Sequence, residues 1–535
     1  MPAALTFPGV YVEEKSSGVH TIAGVATSIA AFLGKAIKGP VNEPVIITSF
    51  ADFERRFGGI AKNYPLGYAV RDFYANGGST AVIVRLFPGA APLPTAKWDV
   101  FGLAIAASSP GTWGNNLKIR IDQTNITGAD ATKLWNFFVR DTATGVTESF
   151  LGVTHEDKPN RLDRVLKNGS SLVTYQAGQA LTFPGGFHTA LTTPPPSGDV
   201  FVDAGYSEPP DTTVPLNGGD GGNLWVDALD GGTTKPEGTE ANKTGIFALE
   251  RTDLFNILCL SGKDSETDVP TSAYSAALIY AQKRRAMLLV DSPRTWNDAS
   301  TIAQTQFSPF KAAVGSGPVL RNAALYFPRL IEPDPLMKNQ PAPFPPAGAI
   351  AGVMARTDVT RGVWKAPAGT EAGLLGTEAL EFTLTDLENG LLNPLGINCS
   401  RTFPFIGNVV WGARTLAGAD ILGDEYKYVP VRRLALFIEE SLFRGLKWVV
   451  FEPNDEPLWS QIRLNVGAFM QGLFRQGAFQ GASPRDAYFV RCDATTTTQN
   501  DINLGIVNIV VGFAPLKPAE FVVLTIQQIA GQIQT

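Results

Sequence analysis

Hydrophobic positions along the chain change their period several times, and each change marks an element. Residues 24–33 and 45–48 are short apolar runs that predict strands, and Ser49 is placed to cap a helix over residues 50–57. Leu66, Ala69, Val70 and Phe73 recur at helical spacing, and residues 81–86 form another apolar run before Pro88. Strand, helix, helix, strand predicts a layered α/β core. From residue 95 the texture shifts: Thr, Gly and Pro accumulate, and strand-like segments at 117–121 and 135–140 are separated by turns. From 244 the α/β texture returns, with apolar runs at 257–260 and 286–290 on either side of an amphipathic stretch. In that stretch Tyr274, Leu278 and Ala281 share a face.

Two long helices follow. After Pro430 the stripe is Leu434, Phe437, Ile438, Leu442 and Leu446; after Pro457 it is Leu458, Ile462, Val466, Phe469 and Leu473. Both stripes predict core contacts. The chain closes with strand predictions at 502–513 and 520–529. The second is apolar on both faces, and unpaired it would be an aggregation site. At the other end, Pro8-Gly9 is a turn signal before Val10, Tyr11 and Val12, which read as an extended arm.

The expected architecture is a multi-domain α/β protein with a layered α+β core, a β-rich inserted domain and extended strand arms at both ends. Its parts are an N-terminal arm (1–20), a discontinuous core (21–94 plus 244–505), an insert with a flexible connector (95–243), and a C-terminal strand and arm (506–535). The proline run 341–346 marks a possible split of the core into two subdomains.

Composition narrows the function. The chain has 535 residues, 54 of them Gly and 38 Pro, and a net charge of −6. The length, with 44% hydrophobic residues, allows large cores, and the mild acidic excess argues against nucleic acid as a partner. The longest basic run, Lys283-Arg284-Arg285, reads as a solvated helix end. Cys259, Cys399 and Cys492 are far apart and fit buried thiols in a reducing compartment better than a disulfide framework. Residues 1–5 lack the basic start of a signal peptide, and no apolar stretch approaches membrane-helix length, so synthesis and assembly in the cytoplasm are expected.

Catalytic chemistry finds little support. His20, His155 and His188 have no partner at metal-ligand spacing, so no metal or cofactor is expected. Residues 314–317 lack the first glycine of a nucleophile elbow. Gly34-Lys35 and Gly262-Lys263 lack the following Ser or Thr, and the earlier glycine, of a phosphate loop. The glycine-rich 217–222 occurs once and reads as a turn, although such stretches can also bind calcium or anions. The chain is expected not to be an enzyme.

Ordered motifs at both ends carry a resemblance. Phe7-Pro8-Gly9-Val10-Tyr11-Val12-Glu13-Glu14, then Ile22-Ala23-Gly24-Val25-Ala26-Thr27-Ser28, Ala31-Phe32-Leu33-Gly34, Lys38-Gly39-Pro40 and Phe57-Gly58-Gly59 resemble the start of contractile tail sheath proteins. Gly218-Gly219-Asp220-Gly221 and residues 287–293 are similar to landmarks in the middle of that family. Arg491-Cys492-Asp493, the Thr-rich 494–498, Asp501-Ile502-Asn503-Leu504-Gly505 and Pro518-Ala519-Glu520-Phe521 resemble its end. The region from 95 to about 210 matches nothing in the family. The family includes sheaths of myovirus tails, R-type pyocins and phage-tail-like injection systems.

The resemblance implies a structural subunit that stacks as six-fold rings around an inner tube and contracts, without nucleotide, to drive the tube through a target envelope. Partners would be the subunit itself, the inner tube protein, and baseplate and terminator or cap proteins, with no nucleic acid or membrane insertion, in a virion tail or similar particle. It implies strand exchange between subunits. The N-terminal linking arm would be Val10, Tyr11, Val12, Glu13 and Glu14; the C-terminal one Phe521, Val522, Val523, Leu524, Thr525 and Ile526. Arg463 and Arg475 on the second long helix are candidate contacts to the inner tube, or equally only solvate that helix. Two other classes stay open: a carbohydrate-binding or adhesin module, for which Trp113, Trp135 and Trp225 are too scattered to decide, and a hydrolase with a β-rich accessory domain.

Overall fold

The computed structural model describes residues 20–62, 64–87, 95–188, 201 and 238–525. An eight-stranded sheet organises them. Six parallel strands lie in the order Ile397–Phe403, Ala323–Phe327, Met287–Asp291, Ile257–Leu260, Ala30–Gly34 and Ala81–Arg85. Antiparallel edge strands Gly407–Val410 and Pro44–Ile47 close the two ends.

The central strands are apolar along most of their length because both faces of the sheet are covered. Alternation sorts their side chains: Ala31, Leu33, Leu258, Leu260 and Leu288 enter one core cluster, while Phe32, Ile257, Cys259, Met287 and Leu289 enter the other. Helix Thr271–Lys283 covers the first face with Tyr274, Ala277, Leu278 and Ala281. Helices Pro65–Ala75 and Ala347–Arg361 cover the second. These two helices cross so closely that a Cβ on Gly348 would lie 2.3 Å from the Ala69 carbonyl oxygen, which is why glycine stands there.

Local signals work as the sequence suggests at several ends. Ser49 caps helix Phe50–Phe57 by accepting from the Asp52 N–H, and Gly58 ends it in a left-handed conformation. Between strands Ala81–Arg85 and Ile257–Leu260 the chain builds two three-stranded antiparallel sheets and helix Leu162–Gly169 around their own cluster, which includes Trp98, Ile119, Trp135, Phe137 and Leu166. The fully buried Arg85 guanidinium holds this unit to the sheet core by donating to the carbonyls of Ala36, Ile37, Gly39 and Pro110. A fourth cluster, formed by helices Val429–Gly445 and Glu456–Arg475, contains the two predicted stripes.

Three expectations are corrected. The proline run at 341–346 does not interrupt the core: Gln340–Phe344 is a strand antiparallel to Leu330–Asp334, and Leu330 and Ala347, on either side of the run, join the same cluster as the central strands. Prolines are tolerated there because the strand is an edge. A packing change comes instead at helix Val429–Gly445, where the fourth cluster begins. The strand expected over 502–513 is reduced to Val510–Phe513, because Thr498 and Asp501 form a capping box that nucleates helix Gln499–Asn503. Residues 520–525 make no ladder, and the rest of that expected strand lies outside the described residues.

Asp291 ends the central strand Met287–Asp291 and accepts from the Ala347 N–H at 2.8 Å, fixing the start of helix Ala347–Arg361. Burial pushes its carboxyl up to about 7, against the opposing effects of Arg329 and the Ala347 bond. The folded state therefore binds a proton that the unfolded state has lost. Its contribution is full below about pH 4 and declines as pH rises to about 7. Asp291→Asn keeps the acceptor and removes the buried charge. Melting curves should show the variant gaining on the parent by a few degrees between pH 5 and pH 8; a difference independent of pH would contradict this.

Candidate assembly surfaces

Two sets of contacts position the two ends of the described chain. Residues 20–29 lie across helix Val429–Gly445. Ile22 is buried in the fourth cluster, and the Val25 N–H donates to the Ser441 hydroxyl at 3.2 Å. Gly24 sits so near Phe437 that a Cβ would approach its ring at 2.9 Å. Arg433 donates to the Thr27 carbonyl at 2.8 Å and pairs with both oxygens of Asp358 at 2.8 and 2.7 Å, with both side chains buried. The His20 ring stacks on Trp448 at 4.2 Å. The linking residues Val10, Tyr11, Val12, Glu13 and Glu14 lie outside the described residues.

At the other end, strand Val510–Phe513 pairs antiparallel with Tyr488–Arg491. This sheet has two strands, and no third strand joins either outer edge among the described residues. Ala514 then bonds back to Ala487 and Gln480, and the chain runs to Glu520. There Arg414, fully buried, donates from Nε and Nη2 to the two carboxylate oxygens at 2.8 and 2.5 Å, and the Tyr428 hydroxyl adds a third bond at 3.2 Å. Beyond this lock, Phe521, Val522, Val523 and Leu524 are 74–89% exposed and in no strand, and Thr525 is exposed too. Ile526 lies outside the described residues.

Both locks belong to one stretch of backbone. Arg414 bridges Tyr428, and the Val429 N–H donates to the Ala413 carbonyl, so the segment carrying Arg414 is stitched to the start of the helix carrying Arg433. Sequence reading identified Glu520 only as part of a motif. It missed Arg414 and Arg433 because an isolated arginine in a chain with 44 basic residues carries no spacing signal.

The structure leaves Arg463 and Arg475 apart in character. Arg463 is engaged by the Cys492 carbonyl and by Glu456, whereas Arg475 is exposed at the end of helix Glu456–Arg475. Trp113 and Trp135 are buried in the core of the insert, so neither offers a face to a sugar; Trp225 lies outside the described residues.

Titratable groups cluster in one place. Burial, reinforced by Asp72 beside it, pushes Glu332 up to about 9, and burial raises Asp72 as well. Arg71 bridges both carboxyls, and Tyr68 donates to Asp334. The cluster ties helix Pro65–Ala75 to strand Leu330–Asp334. The cavity beside it holds about 40 Å³, room for a water and not for a substrate. His20, His155 and His188 are in separate surroundings, and no group of three His, Cys, Asp or Glu among the described residues is placed to hold a metal. The three cysteines are buried and free.

Comparison with known proteins agrees with this arrangement. The model of the phage tail sheath protein central domain matches residues 234–416, and that of the phage tail sheath C-terminal domain matches 423–529, together more than half of the chain. The tail sheath protein of Vibrio phage KVP40 is 27% identical over 181 residues, which is 34% of this chain and about a quarter (26%) of that protein's length. That of Burkholderia phage BcepMu is 24% identical over 498 residues, covering 90% of this chain and 89% of the relative. Among solved structures, the sheath of an extracellular contractile injection system in its contracted state aligns with a TM-score of 0.57 at 21% identity, covering 98% of each chain. The boundary between the two matched domains falls between the Arg414 lock and the helix of the Arg433 lock, and the chain belongs to the contractile phage tail sheath family.

Proposed function

We propose that this chain is a structural subunit of a contractile sheath, which polymerises as stacked six-fold rings around an inner tube and shortens to drive that tube through a target envelope. The observation that carries the reading is the exposed apolar segment Phe521–Leu524 leaving the body beside a two-stranded sheet whose outer edges are open. A two-stranded sheet alone is marginal in water, and an unpaired apolar terminal strand is a template for another chain. Strand addition between copies satisfies both at once.

In this reading Val10–Glu14 and Phe521–Ile526 are donated to neighbouring copies, and the sheet Tyr488–Arg491 with Val510–Phe513 is the acceptor. Ten extended residues span roughly 33 Å, enough to cross to an adjacent body. The Arg414–Glu520 and Arg433–Asp358 locks fix where each arm leaves, so that bodies rotate while the arms keep them linked. Contraction passes from a trapped extended assembly to a more deeply buried one, with no nucleotide consumed. The surface of helix Glu456–Arg475 is the candidate tube contact, with Arg475 more available than Arg463. The insert, which among the described residues meets the sheet core through Arg85 and Ser109, faces outward. Partners are further copies, the inner tube, and baseplate and cap proteins, in a particle assembled in the cytoplasm. No helix among the described residues is long and apolar enough to cross a membrane.

Removing residues 1–18 should leave the melting of the body unchanged and abolish ordered polymers in electron micrographs; tubes from the truncated chain would refute the role of the N-terminal arm. Val523→Pro removes a ladder donor and should block polymerisation with the same melting behaviour. Glu520→Ala leaves the buried Arg414 short of its bidentate partner. It should cost about 2–4 kcal/mol in denaturant unfolding and speed hydrogen exchange over residues 514–521; unchanged exchange there would show that the lock does not hold the arm.

A further inference from the structure

A groove of about 960 Å³ runs along the root of the C-terminal arm. One wall is the arm root itself, residues 516–521; the opposite wall includes Trp364, Lys365 and Trp411. Its charges are unevenly matched. Arg361 is held by Glu371, Arg401 by Asp386, and the lining Glu520 is consumed by Arg414. Two cations are left over. Lys365 Nζ meets only the carbonyls of Ala366 and Ala368, at 3.1 and 3.5 Å, and the exposed Lys517 has no carboxylate partner among the described residues. One half-buried and one exposed cation beside indole surface, with the lining carboxylates already engaged, suit an extended segment that is apolar and then acidic.

The groove also continues the open sheet. Pro515, which bridges Phe479, lies two residues past the end of strand Val510–Phe513, and Leu516 and Gly477 already line the groove. A strand added to the sheet edge is therefore led into it. Outside the described residues, Val10, Tyr11 and Val12 are followed by two acids in succession, Glu13 and Glu14, matching the two unpaired lysines.

We propose that the groove receives the Glu13-Glu14 pair of a second copy of this chain, whose carboxylates pair with Lys365 and Lys517 while its Val10-Tyr11-Val12 lies on the adjoining sheet edge. The proposal rests on the strand-exchange reading above and adds to it a register: the acidic pair pins the arm one way along the edge. In an antiparallel or parallel ladder a slip of one residue would exchange the faces of Val10 and Tyr11, and fixed charges at the end of the strand oppose that slip.

The test uses full-length chains. A chain with Glu14→Cys is co-assembled with a chain carrying Lys517→Cys, and the polymer is treated with a short bismaleimide. Cys259, Cys399 and Cys492 are buried, leaving the introduced thiols as the reactive pair. A cross-linked dimer on a denaturing gel is expected from the mixed polymer. In parallel, Glu13→Lys with Glu14→Lys should lower polymer yield about threefold to tenfold, the effect of losing two half-exposed ion pairs. Lys365→Glu with Lys517→Glu in the same chain should restore it. Tubes that form normally with the reversed acids, a reversal that the swapped lysines do not rescue, or a mixed polymer that yields no cross-linked dimer would each overturn the proposal. Loss of strand exchange is read separately: it alone predicts that the chain lacking residues 1–18 still polymerises.

Discussion

A β-ladder that stops at two strands leaves a row of backbone donors and acceptors on each side, and this constraint governs the C-terminal part of the molecule. Among the described residues Tyr488–Arg491 and Val510–Phe513 pair only with each other, while the segment that follows them carries four exposed apolar side chains in succession. Water can solvate the edges but not the apolar tail. In the proposed assembly both deficits vanish when the tail of one copy meets the sheet of another, which would make the unsatisfied surface of the isolated subunit its bonding surface.

What makes such bonding useful for motion is that the arms are tied firmly at their roots. The Arg414 guanidinium is fully buried and pairs with two carboxylates, Asp420 on one nitrogen and Glu520 bidentately, and the Glu520 pair holds the chain at that point. Arg433 does the same at the other end through Asp358 and the Thr27 carbonyl. Arg414 and Arg433 are joined by the Tyr428 bridge and the Val429 bond, so in the proposed assembly the roots of the two arms share a few residues of hydrogen-bonded backbone. The doubly covered parallel sheet behind them provides a body rigid enough to bear that load.

Much of the body was legible from pattern. Apolar runs such as 257–260 and 287–291 announce strands buried on both faces, and Ser49, Pro430 and Pro457 announce helix starts with local chemistry that tertiary packing did not override. The failures have identifiable causes. Prolines at 341, 343 and 345 suggested a break because proline punctuation is a local signal, whereas an edge strand tolerates it through non-local pairing. Residues 502–513 looked like one strand because Ile502, Val507, Ile509 and Val511 mix two periods, and only the Thr498–Asp501 box separates helix from strand. The arms are expected from a resemblance and from their apolar character. The locks that anchor them are not, since Arg414 meets Glu520 across 106 positions and nothing in sequence spacing signals that meeting.

The central claim is that the open sheet is completed by other copies. Cryo-electron microscopy of polymers grown from the full-length chain measures this directly, at a resolution that traces backbone. The account predicts additional strands, traceable to neighbouring subunits, along the outer edges of Tyr488–Arg491 and Val510–Phe513. Ordered tubes in which that sheet remains two-stranded and the residues after Glu520 fold back on their own subunit would contradict it.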